Sequence, residues 1–381
     1  MKSITSKFVR ASLSAAALLA LGFDAQATEA FALRYVPGIG GADMSAPLEP
    51  GTVLQIPLYA YHATLNSSST NTLSAAQLFP AGTPFAALAG AFPTASGATP
   101  VDTHIKLDIA ALLPRLTYVS TQTWLGANVG VTALLPLVQK KANVTTTVGT
   151  TTISNVDAAT FATLTGGVPL TTYAAGVNTT VAAGAAAYAA TQSDRQFSVG
   201  DLEVAPILRW NNDPDQILFA PTLTLPTGSY DASRAVNAGA GNFYTFRPTL
   251  QYSHIAETWD FGSRVAVSWN TRNKDTQYKS GSYLNIDLAA MHTVNAISDS
   301  TRIGLQGYVV EQLTRDSCNC TPTPAQLITL DKTGHVYGIG PSIAWIKGAG
   351  EMLIEGKLMR EFAASDRPSG TALWLTLSMP L

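Results

Sequence analysis

The charged residues of this chain are few, and many of them stand at every second position of otherwise apolar segments. Between Ser198 and Trp210, for example, Asp201, Glu203 and Arg209 share one face, and most of the interleaved residues are apolar or small. Carboxylates and guanidinium groups on one face can pair with each other, or they can line a polar passage. The candidate residues for such a surface are Asp201, Glu203, Arg209, Arg247, Arg264, Asn285, Asp287, Arg302, Gln306, Glu351, Glu355 and Lys357.

Histidines are the side chains that would offer acid–base chemistry near neutral pH. They fall mostly near the ends of the alternating segments, and none has an obvious serine partner at a nearby level, as a hydrolase would need. Gly338-Ile339-Gly340 is too short for a dinucleotide-binding loop. We therefore expect no catalytic residues and no cofactor, with a lipid hydrolase as the third functional hypothesis. The five histidines are His62, His104, His254, His292 and His335.

Two cysteines stand close together, at Cys318 and Cys320. An exported protein meets an oxidising compartment, where such a pair can form a disulfide. A metal site would need further histidine or cysteine ligands, and none lies nearby in the sequence. The spacing therefore favours a small disulfide at the tip of a loop over a metal site.

The first 27 residues have the pattern of a secretory signal peptide. Lys2, Lys7 and Arg10 precede the apolar run Ala11–Phe23, and Ala25-Gln26-Ala27 offers small residues at the cleavage positions. A membrane anchor is the alternative, but the run is too short to span a bilayer. Without these residues the chain has 20 basic and 24 acidic residues, which gives no basic patch for nucleic acid.

The alternation itself predicts β-strands, because successive side chains of a strand point to opposite faces. The chain is 46% hydrophobic and 13% charged, and after residue 27 no apolar run reaches the length of a membrane helix. Low charge with apolar residues at alternate positions is typical of membrane barrels. We predict an all-β fold: a transmembrane antiparallel up-and-down β-barrel of about 12 strands. A secreted β-sandwich is the soluble alternative, but its outward faces should not be apolar.

The sequence divides into a signal peptide at 1–27, an irregular Gly- and Pro-rich periplasmic segment at 28–52, and a barrel at 53–381. The irregular segment could tuck into the mouth of the barrel. Long extracellular loops are expected at 65–102 and 140–196. The predicted connections fall into a short class and a longer class, as in outer-membrane barrels.

Several motifs spread along the chain carry a family resemblance. They resemble the outer-membrane family called the meta-pathway phenol degradation family, from about residue 30 to the end of the chain. The resemblance implies an outer-membrane barrel of a Gram-negative bacterium that passes aromatic or other hydrophobic compounds, and it brings no established catalytic residues. The motifs are Gly200-Asp201-Leu202 with Pro206 and Trp210, Pro226-Thr227-Gly228-Ser229-Tyr230, Asn270 with Asn273, Thr276, Tyr278 and Ser280-Gly281, and Gly340-Pro341.

The leading functional hypothesis is a passive channel for the uptake of small, hydrophobic or aromatic compounds. The second is a closed structural or surface-interaction barrel, whose inward charges satisfy one another and plug the lumen. The expected partners are the lipid bilayer, a small solute and lipopolysaccharide, whose phosphates the loop with Arg272, Lys274 and Lys279 could contact. Nucleic acid is not expected as a partner, and the oligomeric state stays open.

Overall fold

The computed structural model describes residues 34–44, 46, 48–320, 330, 332–347 and 352–381. The predicted signal peptide lies outside these ranges. The strands are β1 Gly51–Ser74, β2 Ser96–Leu112, β3 Arg115–Trp124, β4 Ala127–Leu134, β5 Leu137–Val148, β6 Thr152–Ser154, β7 Asp194–Val199, β8 Glu203–Asn212, β9 Asp215–Thr224, β10 Thr245–Ile255, β11 Trp259–Asn270, β12 Tyr278–Lys279, β13 Tyr283–Thr293, β14 Thr301–Gln312, β15 Ser317–Cys318, β16 His335–Lys347, β17 Met352–Ser365 and β18 Ser369–Pro380.

Twelve strands form a closed antiparallel ring in the order β1, β3, β4, β8, β9, β10, β11, β13, β14, β16, β17 and β18. The ring closes where β18 pairs with β1, from Val53 opposite Pro380 to Thr64 opposite Ser369. Closure leaves the ring without an exposed strand edge. The predicted up-and-down barrel of about 12 strands is therefore confirmed. We call the end with the longer connections the loop end, and the opposite end the turn end.

Three neighbouring strands of the ring are interrupted and continue toward the loop end as β2, β5 and β7. The interruptions fall at Pro114, Pro136 and Gly200, and proline has no N–H to give to a strand ladder. They are aligned across the wall, because Leu135 N donates to Pro114 O at 3.2 Å and Gly200 N donates to Pro136 O at 2.8 Å. Beyond them, β2, β5 and β7 form an upper panel that pairs with the distal part of β1.

Helices accompany the upper panel at the loop end: α1 Ala75–Leu78, α2 Leu88–Ala91, α3 Ala158–Leu164 and α4 Leu170–Gln192. They share an apolar core in which Phe79, Phe161 and Tyr173 are fully buried. Asp157 caps α3 by accepting a hydrogen bond from Thr160 N at 2.8 Å. Among the described residues, no helix is long and apolar enough to cross a membrane.

The strands and these helices occupy much of the two predicted long loops. β1 runs to Ser74 and β2 begins at Ser96, so the first connection is shorter than the predicted 65–102. The second, predicted at 140–196, holds the end of β5, two helices and the start of β7. Both segments are polar or small-residue sequences in which apolar alternation is absent, which is why the sequence indicated loops.

The outer face of the ring is apolar and the inner face is polar. Leu250, Leu305, Ile343 and Leu373 are each more than half exposed on the outside. Such an apolar surface on a closed barrel is stable against lipid and unfavourable against water. The barrel therefore spans a membrane, and the outward faces contradict the soluble β-sandwich.

Candidate functional site

The predicted inward-facing residues lie mostly in the interior of the barrel. Nine of them are buried, whereas Glu203 and Arg302 are half-buried and Glu351 lies outside the described residues. The nine are Asp201, Arg209, Arg247, Arg264, Asn285, Asp287, Gln306, Glu355 and Lys357.

The chain segment Arg34–Met44 runs through the lumen, and we call it the plug. Asp287 holds its centre, because its carboxylate accepts hydrogen bonds from Gly38 N at 3.0 Å, from Gly40 N at 2.8 Å and from the Tyr35 hydroxyl. Hydrogen bonds to a buried carboxylate are among the stronger ones in proteins. The sequence predicted an irregular periplasmic segment at 28–52 that could tuck into the barrel mouth; the structure places residues 34–44 inside the barrel.

A second anchor holds the next turn of the plug. Ala42 N donates to Glu355 Oε1 at 3.0 Å, and Lys357 Nζ donates to Gly40 O at 2.7 Å. A Cβ atom on Gly41 would lie 2.6 Å from both the Glu355 carboxylate and Lys357 Nζ. The plug backbone therefore approaches these two side chains as closely as only glycine allows.

An ion pair to Asp201, just before β8, and a hydrogen bond from β10 hold the start of the plug. Arg34 Nη2 lies 3.0 Å from Asp201 Oδ2, and Arg247 pairs with Glu203. Arg247 Nη1 also donates to Arg34 O at 3.1 Å, and the Arg34 guanidinium lies 3.9 Å from the centre of the Phe243 ring. The charged residues of the wall thus bind the plug, in addition to pairing with one another.

Asp43, in the 3₁₀ turn Ala42–Met44 at the end of the plug, supplies the last anchor. Its Oδ2 accepts a hydrogen bond from Arg264 Nη2 at 2.8 Å. Burial opposes ionisation of Asp43, but the charge and hydrogen bond of Arg264, with weaker help from Arg115 and Lys357, outweigh burial and lower its pKa to about 2. Asp43 is therefore an anion at any physiological pH.

The plug divides the lumen into two cavities. The upper cavity, toward the loop end, has a volume of about 160 Å³ and the lower cavity about 170 Å³. Tyr35 and Glu203 line both cavities, so they mark the partition. Each cavity has room for a small organic molecule.

The upper cavity has apolar and aromatic side chains in much of its lining, together with charged residues of both signs: Arg34, Lys140, Asp201, Glu203, Glu361, Asp366 and Arg367. Tyr59 packs against Trp374 with ring centres 4.4 Å apart and stacks on Tyr61 at 5.9 Å, which gives one wall an aromatic surface. The opposite wall comes from the upper panel and its junctions. Its apolar residues are Leu107, Ile109, Ala111, Leu113, Pro136 and Val138.

The lower cavity has several arginines in its lining. They project from four different strands, β3, β8, β10 and β11, and they are Arg115, Arg209, Arg247 and Arg264. Asp43 and Glu203 are the acidic residues in the same lining. The two cavities therefore differ in chemistry although they share one lumen.

Three predicted interior residues have other surroundings. Arg302 Nε pairs with Asp260 Oδ2 at 2.9 Å near the turn end. Asn285 is 2% exposed, and neither of its side-chain polar atoms has a hydrogen-bond partner among the described residues. Arg209 belongs to the lower cavity and is treated below.

Cys318 and Cys320 are joined in a disulfide, with Cα atoms 5.2 Å apart. The disulfide lies at the loop end, where β15 pairs Cys318 with Tyr278 of β12. Arg272 Nη1 donates to Gln277 O at 2.6 Å in the same region. Arg272 therefore helps to shape this loop cluster, and its predicted contact with lipopolysaccharide stays a prediction.

The histidines lie away from the lumen partition. His62 Nδ1 is 2.6 Å from Asp108 Oδ1, and His254 Nδ1 is 2.9 Å from Asp215 Oδ1; in both pairs the side chains are well exposed. His292 Nδ1 lies 2.9 Å from Thr258 O. These contacts orient imidazole rings, but they do not bring a nucleophile to them.

The sequence did not indicate the plug as a functional element, although it carried a usable signal. Pro37-Gly38-Ile39-Gly40-Gly41 concentrates glycines at the points of closest approach, where a Cβ atom would meet Tyr308, Asp287 or Glu355. Glycines that are needed for close backbone approach differ from glycines that give flexibility, and the sequence alone does not separate the two.

Comparison with known proteins gives one family and a related fold. Residues 89–377 match the family described as "Putative MetA-pathway of phenol degradation". No curated protein matches the chain. The crystal structure of the COG4313 outer membrane channel from Pseudomonas putida F1 has a similar fold, with a TM-score of 0.56 and 15% identity over 91% of this chain and 100% of that chain. A FadL homologue from Pseudomonas aeruginosa has a TM-score of 0.37 and 10% identity over 98% of this chain and 97% of that chain.

Proposed function

The chain belongs to the MetA-pathway phenol-degradation family, and from that premise we propose that it is an outer-membrane channel for the passive uptake of small, hydrophobic or aromatic compounds. In this proposal the loop end faces the outside of the cell and the turn end faces the periplasm. The lipid bilayer surrounds the apolar outer face, and lipopolysaccharide contacts the loop end.

The observation that carries the proposal is the pair of cavities in line along one lumen, separated only by the plug. A barrel that served structure alone would fill its interior with side chains from its own wall, as small barrels do. Here the partition is a terminal segment of the chain, held mainly by hydrogen bonds and ion pairs. A solute can pass once that segment shifts, without any change in the ring.

The upper cavity supports the choice of solute. Its aromatic wall of Tyr59 and Tyr61, backed by the buried Trp374, lies in the same lining as aliphatic side chains such as Leu107 and Ile109. Flat apolar molecules gain from burial against both kinds of surface, and aromatic rings gain further from stacked or edge-on contacts. We therefore propose that a small aromatic or otherwise apolar compound binds in the upper cavity on its way through the channel.

Planar-bilayer recordings test the proposal. The full-length protein and a variant that lacks residues 34–44 are reconstituted under the same conditions. We expect brief, infrequent openings for the full-length protein and sustained conductance for the variant, because the plug separates the two cavities within the described part of the chain. Heat-modifiable gel mobility checks that the shortened variant still forms a barrel. A correctly folded variant without conductance would contradict the channel proposal.

The plug in its docked position also favours the second hypothesis, a closed barrel with a structural or surface-interaction role. The helices above the upper panel would then supply the interaction surface. The same recordings separate the two hypotheses, since a closed structural barrel stays silent with or without residues 34–44. An outer-membrane hydrolase remains the third hypothesis, and substituting each histidine in turn while assaying lipid hydrolysis tests it.

A further inference from the structure

The arginines of the lower cavity are not fully matched by carboxylates. Arg247 pairs with Glu203, and Arg264 pairs with Asp43 of the plug. Arg115 forms no ion pair within the described residues; its Nη1 donates to the neutral amide oxygen of Gln55 at 3.2 Å. The lower cavity therefore holds more positive than negative charge.

Arg209 has one long ion pair, which leaves most of its donors unsatisfied. Its side chain is 2% exposed, and its Nε and Nη2 atoms have no hydrogen-bond partner among the described residues. The nearest carboxylate oxygen is Oε1 of Glu49, at 3.6 Å from Nη2, and the Glu49 side chain is 55% exposed. A buried guanidinium with unsatisfied donors is unfavourable, and an anion in the cavity would satisfy it.

The carboxylate on Arg264 belongs to the plug and not to the wall. If the plug leaves, Asp43 leaves with it, and Arg264 and the neighbouring Arg115 both lose a carboxylate that stabilises their charge. Arg264 keeps the neutral oxygen of Gln251, at 2.7 Å from its Nη2 atom, and the charge of Asp287, which lies opposite it on β13. An open lumen would therefore present Arg264 without its ion pair to Asp43, and Arg115 beside it, directly below the partition.

We propose that the lower cavity is a binding site for a small organic carboxylate, which takes the place of the Asp43 carboxylate on Arg264, with Arg115 beside it and Arg209 nearer the turn end. In the docked plug, the Asp43 carboxylate then occupies the position that the carboxylate of the solute would take. Binding of the solute therefore favours the undocked plug. This inference rests on the proposed function, since it concerns the same lumen, and it narrows the solute to an apolar body with one carboxylate.

The two cavities fit the two parts of such a molecule. The upper cavity accepts the apolar body and the lower cavity accepts the carboxylate. Guanidinium groups bind carboxylates through paired N–H donors, so this second site discriminates more sharply than the apolar surface above it. A neutral compound of the same size would meet only the first site.

Isothermal titration calorimetry on the detergent-solubilised full-length protein tests the site. The probes are sodium benzoate and, as a neutral compound of similar size, benzyl alcohol. Asp43→Asn removes the competing carboxylate, so we expect the ratio of benzoate affinity to benzyl alcohol affinity to rise about tenfold over the unmodified protein. Adding Arg264→Gln to Asp43→Asn should abolish that rise. An unchanged ratio in a folded Asp43→Asn variant would overturn the inference.

Reversal potentials give a second test in the variant that lacks residues 34–44. In a potassium chloride gradient we expect preference for the anion, and Arg115→Gln with Arg209→Gln should shift the potential toward the cation side. Glu257→Ala is the control, because Glu257 is exposed in a turn and has no role in the lumen. Conductance without anion preference and without the gain in benzoate binding would refute this site and leave the channel intact. If the folded variant that lacks residues 34–44 shows no conductance, the channel proposal itself is refuted. Calorimetry would still test the carboxylate site.

Discussion

The two cavities of this barrel have similar volumes, apolar side chains in both linings and different sets of charged residues. The upper one has Tyr59 and Tyr61 and charged residues of both signs, whereas the lower one has four arginines against two carboxylates. They differ because different strands surround them: β2 and β5 of the upper panel contribute to the upper cavity, whereas β3, β8, β10 and β11 carry the arginines below. One lumen can therefore select twice, first for an apolar body and then for charge.

The interruption of three strands separates the two regions. Above Pro114, Pro136 and Gly200, part of the wall consists of panel strands, whose lining residues include the apolar Leu107 and Val138. Below these breaks the inward residues include polar and charged side chains that bind the plug. The plug therefore lies between two differently lined parts of the lumen, and its displacement would join them.

Releasing the plug, which joins the two cavities, should have the largest effect on the open probability. Asp287→Ala removes the acceptor of three hydrogen bonds from the plug, from Tyr35, Gly38 and Gly40. Hydrogen bonds to a charged acceptor contribute about 1.5–3 kcal/mol each, so a net loss of about 3 kcal/mol is a conservative expectation. The open probability in planar bilayers should then rise about a hundredfold.

Glu257→Ala, which removes an exposed carboxylate from a turn, is the matched control for Asp287→Ala. It should leave the open probability unchanged. If Asp287→Ala folds normally and gates like the control, the plug does not separate the cavities in the membrane.

A new charge in the upper cavity should weaken the binding of apolar compounds there. Ile109→Asp places a carboxylate in the apolar wall of that cavity. Burying the apolar part of a solute against it becomes unfavourable, so the affinity for benzyl alcohol should fall about tenfold in calorimetry. Ile297→Asp is the control, since Ile297 is 65% exposed in a connection at the turn end. Equal losses in both variants would contradict a specific role of the upper cavity.

Lowering the pH should have the smallest effect on the open probability. The pKa of Asp43 is lowered to about 2 in the docked plug, from an ordinary value near 4. A lowered pKa means that Asp43 stabilises docking above its ordinary pKa, and that this contribution is lost only as the pH falls toward 2. Single-channel recordings between pH 8 and pH 5 should therefore show no Asp43-dependent opening. A rise in open probability in that range, absent from Asp43→Asn, would contradict the Arg264–Asp43 contact.

The sequence predicted the ring because its strands alternate strictly between lipid and lumen. Asp201, Arg264 and Asp287 were placed on the inward face by parity alone, and the structure has them there, buried. The same parity puts Trp374 on the inward face, where it packs against Tyr59, since inward positions in a barrel of this size can also accept a large ring.

The plug could not be predicted in the same way. Its Gly- and Pro-rich sequence has no period, and its contacts join residues that lie more than 200 positions apart, such as Gly40 and Asp287. The helices in 140–196 were missed for a related reason. α4 consists largely of alanine, threonine and glycine, so its buried stripe of Tyr173, Val177 and Val181 contrasts little with its other faces.

A reversible cross-link tests the central claim most directly. A Cβ atom on Gly40 would lie 3.0 Å from Asp287 Cβ, close to the separation of about 3.5–4.5 Å in a disulfide. Gly40→Cys with Asp287→Cys, in a chain in which Cys318 and Cys320 are replaced by serine, loses the main anchor of the plug and can replace it covalently. Planar-bilayer recordings should show an open channel under reducing conditions and a closed one after oxidation. Equal conductance in both states, with the disulfide verified by mass spectrometry, would contradict closure of the lumen by the plug.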